Sequence, residues 1–286
     1  LLKNEDKQDS FRESQYLQNI YIEDINGKDF IFIDILKEGI TLEESVQKNL
    51  PSCLKKLPIP KLMKYQKLIG QEIIKDIEFI RPVRGIVSMI DDRIINIEVL
   101  GFYSSNSTNG HRFLGKNEIK IESALQYESQ LFDLGKVIVD FEERREIITR
   151  SVKNICDQEK CKSILDNNLL DEITALCEWP TALLCHFDSE FLSLPKECLI
   201  LTMQKHQKYI PLTEKDGTLS NKFIVITNNA PKDTTKIRIG NERVLRARLN
   251  DAHFFFLKDQ ERPLLKRKDD LSAVMYHNLL GTLSDR

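Results

Sequence analysis

The stretch from Gly240 to Phe256, GNERVLRARLNDAHFFF, constrains the fold more than any other part of the chain. At about 3.6 residues per helical turn it sorts into two faces. Leu245, Leu249, Ala252 and Phe256 fall on one stripe, at spacings of four, three and four. Arg243, Arg246, Asn250 and His253 fall on a neighbouring polar face. The pattern predicts a helix with an apolar anchor and a row of cationic and hydrogen-bonding groups. Guanidinium offers a planar, bidentate fork, which suits phosphate or carboxylate. The same pattern also fits a solvated surface helix with ordinary arginines.

Charge is unevenly spread around this helix. The formal net charge is only −2. Residues 1–50 hold six Lys/Arg against eleven Asp/Glu, a net of −5. Residues 236–268 hold ten Lys/Arg against four Asp/Glu, a net of +6. A concentrated basic block suits a polyanion, because phosphate binding releases counterions. A basic surface balanced by acidic neighbours in the fold is the other reading. Hydrophobic residues at 41 % and charged residues at 30 % describe a globular chain. The 286 residues suffice for one large domain or two ordinary ones. No apolar run reaches the length of a membrane span, and the start lacks the apolar region of a secretory signal.

Along the chain, residues 1–20 read as a polar lead-in. Tyr21 to Ile33 reads as a hairpin turning at Asn26-Gly27. Thr41 and Glu44 form a capping box for a helix to about Leu54. Pro58 and Pro60 mark a break. Ile77 to Ile80 is a short strand, Arg84 to Ile90 a short helix after Pro82, and Arg93 to Leu100 a strand. Residues 101–112 read as a loop. Asp140 caps a long helix, with Glu143 completing the box and Phe141, Ile148, Val152 and Ile155 as its stripe. Ser193 and Pro195 open another helix to about His206. Tyr209 to Leu212 and Phe223 to Thr227 are strands around an Asp216-Gly217 turn. Helices follow from about Asn241. This mixed order, without strict alternation, predicts an α+β class.

Six cysteines, Cys53, Cys156, Cys161, Cys177, Cys185 and Cys198, do not make a disulfide framework in a chain of this size. Cys156-x4-Cys161 has a loose zinc-knuckle spacing, but no second Cys or His pair answers it, so no metal site is expected. Cys177, Cys185 and Cys198 lie among apolar residues and read as small core residues. The sequence shows no phosphate-binding loop, no nucleophile elbow and no HExxH. Glu142 and Glu143 are adjacent on a helix and point about 100° apart, so they do not face one substrate. No catalytic residue is expected.

Three further segments carry cations. Lys205-His206-Gln207-Lys208-Tyr209 sets basic residues around an aromatic, which can clamp a phosphate while the ring stacks on a base. It equally fits a helix C-terminus whose cations complement the dipole. Asn109-Gly110-His111-Arg112 is a polar turn that can bind RNA or a partner, or bond to its own backbone. Arg81 and Arg84 flank Pro82 and can contact phosphates or pair with Glu142 or Glu143.

Seven segments, in order, resemble the beta subunit of the bacterial two-subunit glycyl-tRNA synthetase. They are IRPVRG (80–85), NGHRFLG (109–115), DFEERREII (140–148), EWPTALL (178–184), MQKHQKYIPL (203–212), FIVITNN (223–229) and GNERVLRARLNDAHFFF (240–256). The resemblance runs from about Leu57 to Arg286, and loosely back to Tyr21. It implies a fragment lacking the family's N-terminal start and most of its C-terminal domains. It implies an α+β domain like the B3/B4 module of phenylalanyl-tRNA synthetase over 21–262, with sheets and packed helices. The start of an all-helical HD-type domain would follow over 263–286. It further implies a cytoplasmic heterotetramer with an alpha subunit that supplies the adenylate chemistry with ATP and Mg²⁺. No cofactor is expected in this chain, and neither membrane nor DNA as a partner. Beta would bind and orient tRNA(Gly), with Arg243, Arg246, Lys205, His206 and Lys208 as first candidates, then His111, Arg112, Arg81 and Arg84. An aminoacyl-tRNA editing hydrolase, or a docking module for alpha, are the alternatives.

Overall fold

The computed structural model of the chain describes residues 20–33, 39–69, 72–277 and 281–283. The expected lead-in therefore lies outside the described residues, save for Ile20. Two compact units emerge, one from residues 1–84 and 95–104, the other from 85–94 and 105–286. The expected span 21–262 is thus shared between both. The fold is α+β, with several small sheets and packed helices.

In the first unit, β1 (Ile20–Ile25) and β2 (Lys28–Ile33) form the expected hairpin. Asn26 and Gly27 have φ of 56° and 79°, the left-handed pair that a type I′ turn needs. The helix α1 (Leu42–Lys55) starts as the sequence dictates. Thr41 Oγ1 accepts from the Glu44 N–H at 3.2 Å, and Glu44 Oε2 accepts from the Thr41 N–H at 2.9 Å. Gln47 ties α1 to the strand Glu98–Val99, donating to the Glu98 carbonyl at 2.9 Å and accepting from its N–H at 2.7 Å. A second hairpin joins β3 (Met63–Ile69) to β4 (Glu72–Phe79). Only the end of β4 is expected from the sequence; β3, whose alternation breaks at Lys67, carries no clear strand pattern.

The helix expected from Arg84 to Ile90 is absent. Ile86–Val87 and Met89–Ile90 are short strands instead. Proline near a helix start is permissive only, whereas Gly85 weakens a helix and branched Ile86, Val87 and Ile90 suit a pleated surface. The strand expected from Arg93 to Leu100 is broken into Arg93–Ile94 and Glu98–Val99. The expected loop at 101–112 contains the short strands Phe102–Ser105 and Ser107–Thr108.

The second unit centres on an antiparallel sheet. Its elements are α2 (Phe141–Glu159), β5 (Lys162–Ser163), α3 (Asn167–Leu176), β6 (Thr181–His186), α4 (Lys196–Leu201), β7 (Ile210–Thr213), β8 (Leu219–Thr227) and α5 (Thr235–Gln260). The sheet order is β5-β7-β8-β6. Alternation along β8 separates two cores. Ile224 joins Ile148, Val152, Leu169, Leu170 and Ile173 from α2 and α3. Phe223 and Val225 join Phe191, Leu199, Met203, Leu245 and Leu249. The sheet therefore lies between α2 and α3 on one face and α5 on the other. Each fully buried aliphatic side chain contributes about 1.5–3 kcal/mol.

Asp140 caps α2 by accepting from the Glu143 N–H at 2.7 Å, without a return bond from Glu143, so the expected box is half made. The buried stripe is Ile148, Val152 and Cys156; Phe141 and Ile155 are only partly covered. At the far end Lys160 is left-handed, with φ of 55°, and the Cys161 N–H bonds to the Cys156 carbonyl at 3.0 Å. This is a Schellman ending, which brings the side chains of Cys156 and Cys161 together as its apolar contact. The x4 spacing thus serves helix capping. The helix expected from Asn241 begins six residues earlier, at Thr235. After α5 a short helix, Leu264–Arg267, precedes a strand pair, Met275–His277 with Gly281–Thr282. No helix of the described residues is long and apolar enough to cross a membrane.

Candidate nucleic-acid interface

The stripe read from the sequence is the face by which α5 is anchored. Leu245 and Leu249 are 0 % exposed, and Ala252 and Phe256 pack against the same core. This fixes what faces outward. Arg243 and Arg248 are exposed, and among the described residues neither has an ion-pair partner. Arg246 is exposed but held by Asp188, with Nε 2.8 Å from Oδ2 and Nη2 3.2 Å from Oδ1. Such a half-exposed pair contributes at most about 1 kcal/mol, so a phosphate can compete for it. His253 departs from the expected row: it is half-buried and rests edge-on against Phe191, ring centroids 6.4 Å apart. Phe254 and Phe255 are 56 % and 64 % exposed. Phe254 follows Arg243 by about three helical turns on the same side. The outer side of α5 thus interleaves cations with aromatic rings.

Beside the start of α5 lies the Lys205–Tyr209 segment. Here α4 runs into a wider turn, Thr202–His206, with bonds of π-helical type. Thr202 and Met203 are buried, while Lys205 and His206 are exposed. Two expectations change. The Tyr209 ring is buried and packs on Phe223, centroids 5.0 Å apart, so it is not a stacking platform for a base. Its hydroxyl donates to Asn241 Oδ1 at 2.8 Å, linking this segment to α5. Lys208 is half-buried, and its Nζ pairs with Glu172 at 2.7 Å, so it is not a free cation. Its φ of 58° is unusual for a branchless, non-glycine residue and holds the chain in a sharp reversal. Between these elements is a half-open cavity of about 330 Å³, lined by Ile173, Gln207, Lys208, Tyr209, Val225 and Asn241 among others. Gln207 and Asn241 carry no sequence signal beyond their place in two family-like segments, so nothing in the sequence marks them as a site.

His111 lies away from the surface where a polar turn would present it. It is 3 % exposed. Its Nδ1 accepts from the N–H groups of Phe113 and Leu114 at 3.3 and 3.2 Å. That places its proton on Nε2, 2.9 Å from the Asn228 carbonyl oxygen. Asn228 Oδ1 in turn accepts from the N–H groups of Glu178 and Trp179 at 2.9 and 2.8 Å. The imidazole is a fastener between three segments and offers nothing to RNA. Gly110 and Gly115 let the loop close on the turn at Gly135, since a Cβ on Gly110 would lie 2.6 Å from the Gly135 Cα. Arg112 is exposed, with its guanidinium 5.5 Å from the Phe113 ring centre. Arg81 and Arg84 are exposed.

Buried nucleophiles are not poised for chemistry. Burial pushes the Cys177 thiol up to about 11 and the Cys185 thiol to about 12. Burial also raises the Tyr209 phenol to about 12. All three stay protonated near neutral pH. Cys161 rises to about 11, through burial first and then its neighbour Cys156. Cys198, expected in the core, is exposed. Among the described residues no three His, Cys, Asp or Glu side chains gather around a point that could hold a metal.

A buried scaffold that carries exposed arginines, lysine and histidine defines a candidate anion-binding surface, and sequence comparison places it in a lineage. The family profile described as glycyl-tRNA synthetase beta subunit matches residues 5–286. The chain belongs to this family. It is 42 % identical over 262 residues to the glycine–tRNA ligase beta subunit of Neisseria meningitidis serogroup C, covering 91 % of this chain and 37 % of that protein. It is 41 % identical over 266 residues to the same subunit of Acidovorax sp. strain JS42, covering 91 % and 36 %. For Ralstonia nicotianae the identity is 43 % over 248 residues, covering 87 % and 35 %. The chain thus spans little more than a third of the length of these relatives.

Proposed function

We propose that the chain is the part of a glycine–tRNA ligase beta subunit that binds and orients tRNA(Gly), while a partner alpha subunit carries the active site with ATP and Mg²⁺. The assembly is a cytoplasmic heterotetramer of two alpha and two beta chains. The observation that carries the reading is the outer side of α5. Its apolar stripe is locked in the core, so Arg243, Arg248, Phe254 and Phe255 are presented by a rigid element. Cations interleaved with aromatic rings suit a polyanion with exposed bases. Lys205 and His206 extend the same chemistry beside the start of the helix. Orientation of a substrate needs phosphate contacts and shape rather than a nucleophile, which agrees with the protonated, buried thiols and phenol.

The cavity near Asn241 does not favour an editing hydrolase. Its Cys177 and Tyr209 are held in their neutral forms, and its Lys208 is paired with Glu172. Glycine charging by the alpha and beta subunits together, and with each omitted, tests the proposal. Charging that requires both chains is expected. Full charging by alpha alone contradicts it.

A further inference from the structure

The cavity between Tyr209 and Asn241 has features that a surface of phosphate contacts does not need. Its volume, about 330 Å³, lies within the range of small-ligand sites. Its aliphatic lining includes Ile173 and Val225, which come from opposite faces of the sheet. The lining also carries the side-chain amides of Gln207 and Asn241. Among the described residues the half-buried Gln207 amide makes no hydrogen bond. Asn241 uses Nδ2 to bond the Ile237 carbonyl at 2.8 Å and Oδ1 to accept from Tyr209, which leaves one N–H and one lone pair free. A primary amide sets a donor beside an acceptor, the arrangement that pairs with the edge of a nucleobase. Aliphatic walls suit the faces of such a ring. The backbone around the opening is unusual at two places, the π-type turn Thr202–His206 and the left-handed Lys208. Such irregularities recur at functional sites because they re-aim side chains. Here they set Lys205 and His206 outside the cavity while Gln207 and Lys208 line it.

We propose that this cavity receives one unstacked nucleobase of a bound RNA strand, read at its edge by Gln207 and Asn241 and held between aliphatic walls, with Lys205 and His206 on the adjoining phosphate. The proposal rests on the tRNA-binding reading for the origin of the strand, not for the chemistry of the cavity.

The test titrates the ¹⁵N-labelled 286-residue chain with AMP, CMP, GMP and UMP, with ribose 5-phosphate as the ligand that lacks a base. At least one nucleotide is expected to shift the side-chain amide signals of Gln207 and Asn241, and ribose 5-phosphate is not. Gln207→Ala removes a group without a partner, so the fold is retained, and it weakens that nucleotide about tenfold. The proposal is overturned if ribose 5-phosphate shifts these signals as strongly, if no nucleotide moves them, or if Gln207→Ala binds as well as the wild type. Binding of a tRNA(Gly) transcript by the intact beta subunit is measured alongside. Transcript binding with silent nucleotides removes the cavity and leaves the tRNA reading. Nucleotide binding without transcript binding does the reverse.

Discussion

Asn109-Gly110-His111-Arg112 and Lys205-His206-Gln207-Lys208 have nearly the same makeup: one histidine, one amide and basic neighbours. In the fold they diverge. His111 is buried and bonded at both ring nitrogens to backbone groups. His206 is exposed on a widened turn. The difference lies in the neighbours. Gly110 and Gly115 allow the first loop to touch the Gly135 backbone, which drags the imidazole into a three-way junction. The second segment has no glycine, and the buried Met203 and Tyr209 anchor it from either end, so Lys205 and His206 face outward. A cationic histidine motif is therefore scaffold or surface according to what flanks it.

Substitutions can break this contrast. The largest effect is expected from Gly115→Ala, whose Cβ would run into the Gly135 carbonyl oxygen. Backbone against backbone has little room to relax, so a loss of about 3 kcal/mol is expected by urea denaturation. A loss below about 0.5 kcal/mol would show that the loop is not tightly seated. His111→Ala comes next. It strands the Asn228 carbonyl and two N–H groups, which costs about 2–3 kcal/mol, whereas His206→Ala stays within about 0.5 kcal/mol. Equal losses in the two variants would erase the distinction.

On the surface side, Arg243→Ala is expected to reduce the salt slope of tRNA binding by close to one. Arg246→Ala is expected to do less, because Asp188 already holds that guanidinium. A reversed order would mean that the Asp188 pair opens freely.

The smallest effect concerns the scaffold pair Lys222–Glu159, 2.8 Å apart. The Lys222 partner holds Glu159 below its usual range, and Glu159 holds Lys222 above its own. The Glu159 contribution is present above the unfolded carboxylate value of 4.5 and is lost as pH falls through the lowered folded value. The Lys222 contribution is present below 10.5 and is lost as pH rises through the raised folded value. Lys222→Met should therefore flatten urea midpoints at both ends of the pH range while leaving the plateau shape near neutrality. An unchanged profile would show that the pair is fully screened.

Much of the fold is legible where a local rule acts alone. Asn26-Gly27 can turn a hairpin, Thr41 and Glu44 can cap each other, and the stripe Leu245 to Phe256 has only one buried solution. Legibility fails where pairing decides. Ile86 to Ile90 suits helix or strand by length, and only its partners make it strand. Cys156 and Cys161 suit a metal by spacing until the left-handed Lys160 shows them capping a helix. The site divides the same way. Arg243, Lys205 and His206 are found exposed where helix and turn patterns place them. The cavity escapes the sequence because Ile173, Gln207, Val225 and Asn241 meet only through the sheet and α5.

The claim that beta orients tRNA while alpha activates glycine is tested most directly on one variant of the assembled enzyme, Lys205→Ala/His206→Ala/Arg243→Ala. Glycine-dependent ATP–pyrophosphate exchange and tRNA(Gly) charging would be measured side by side. Exchange at the wild-type rate with charging reduced at least tenfold is the expected result. Unchanged charging, or exchange falling in step with it, would contradict the claim.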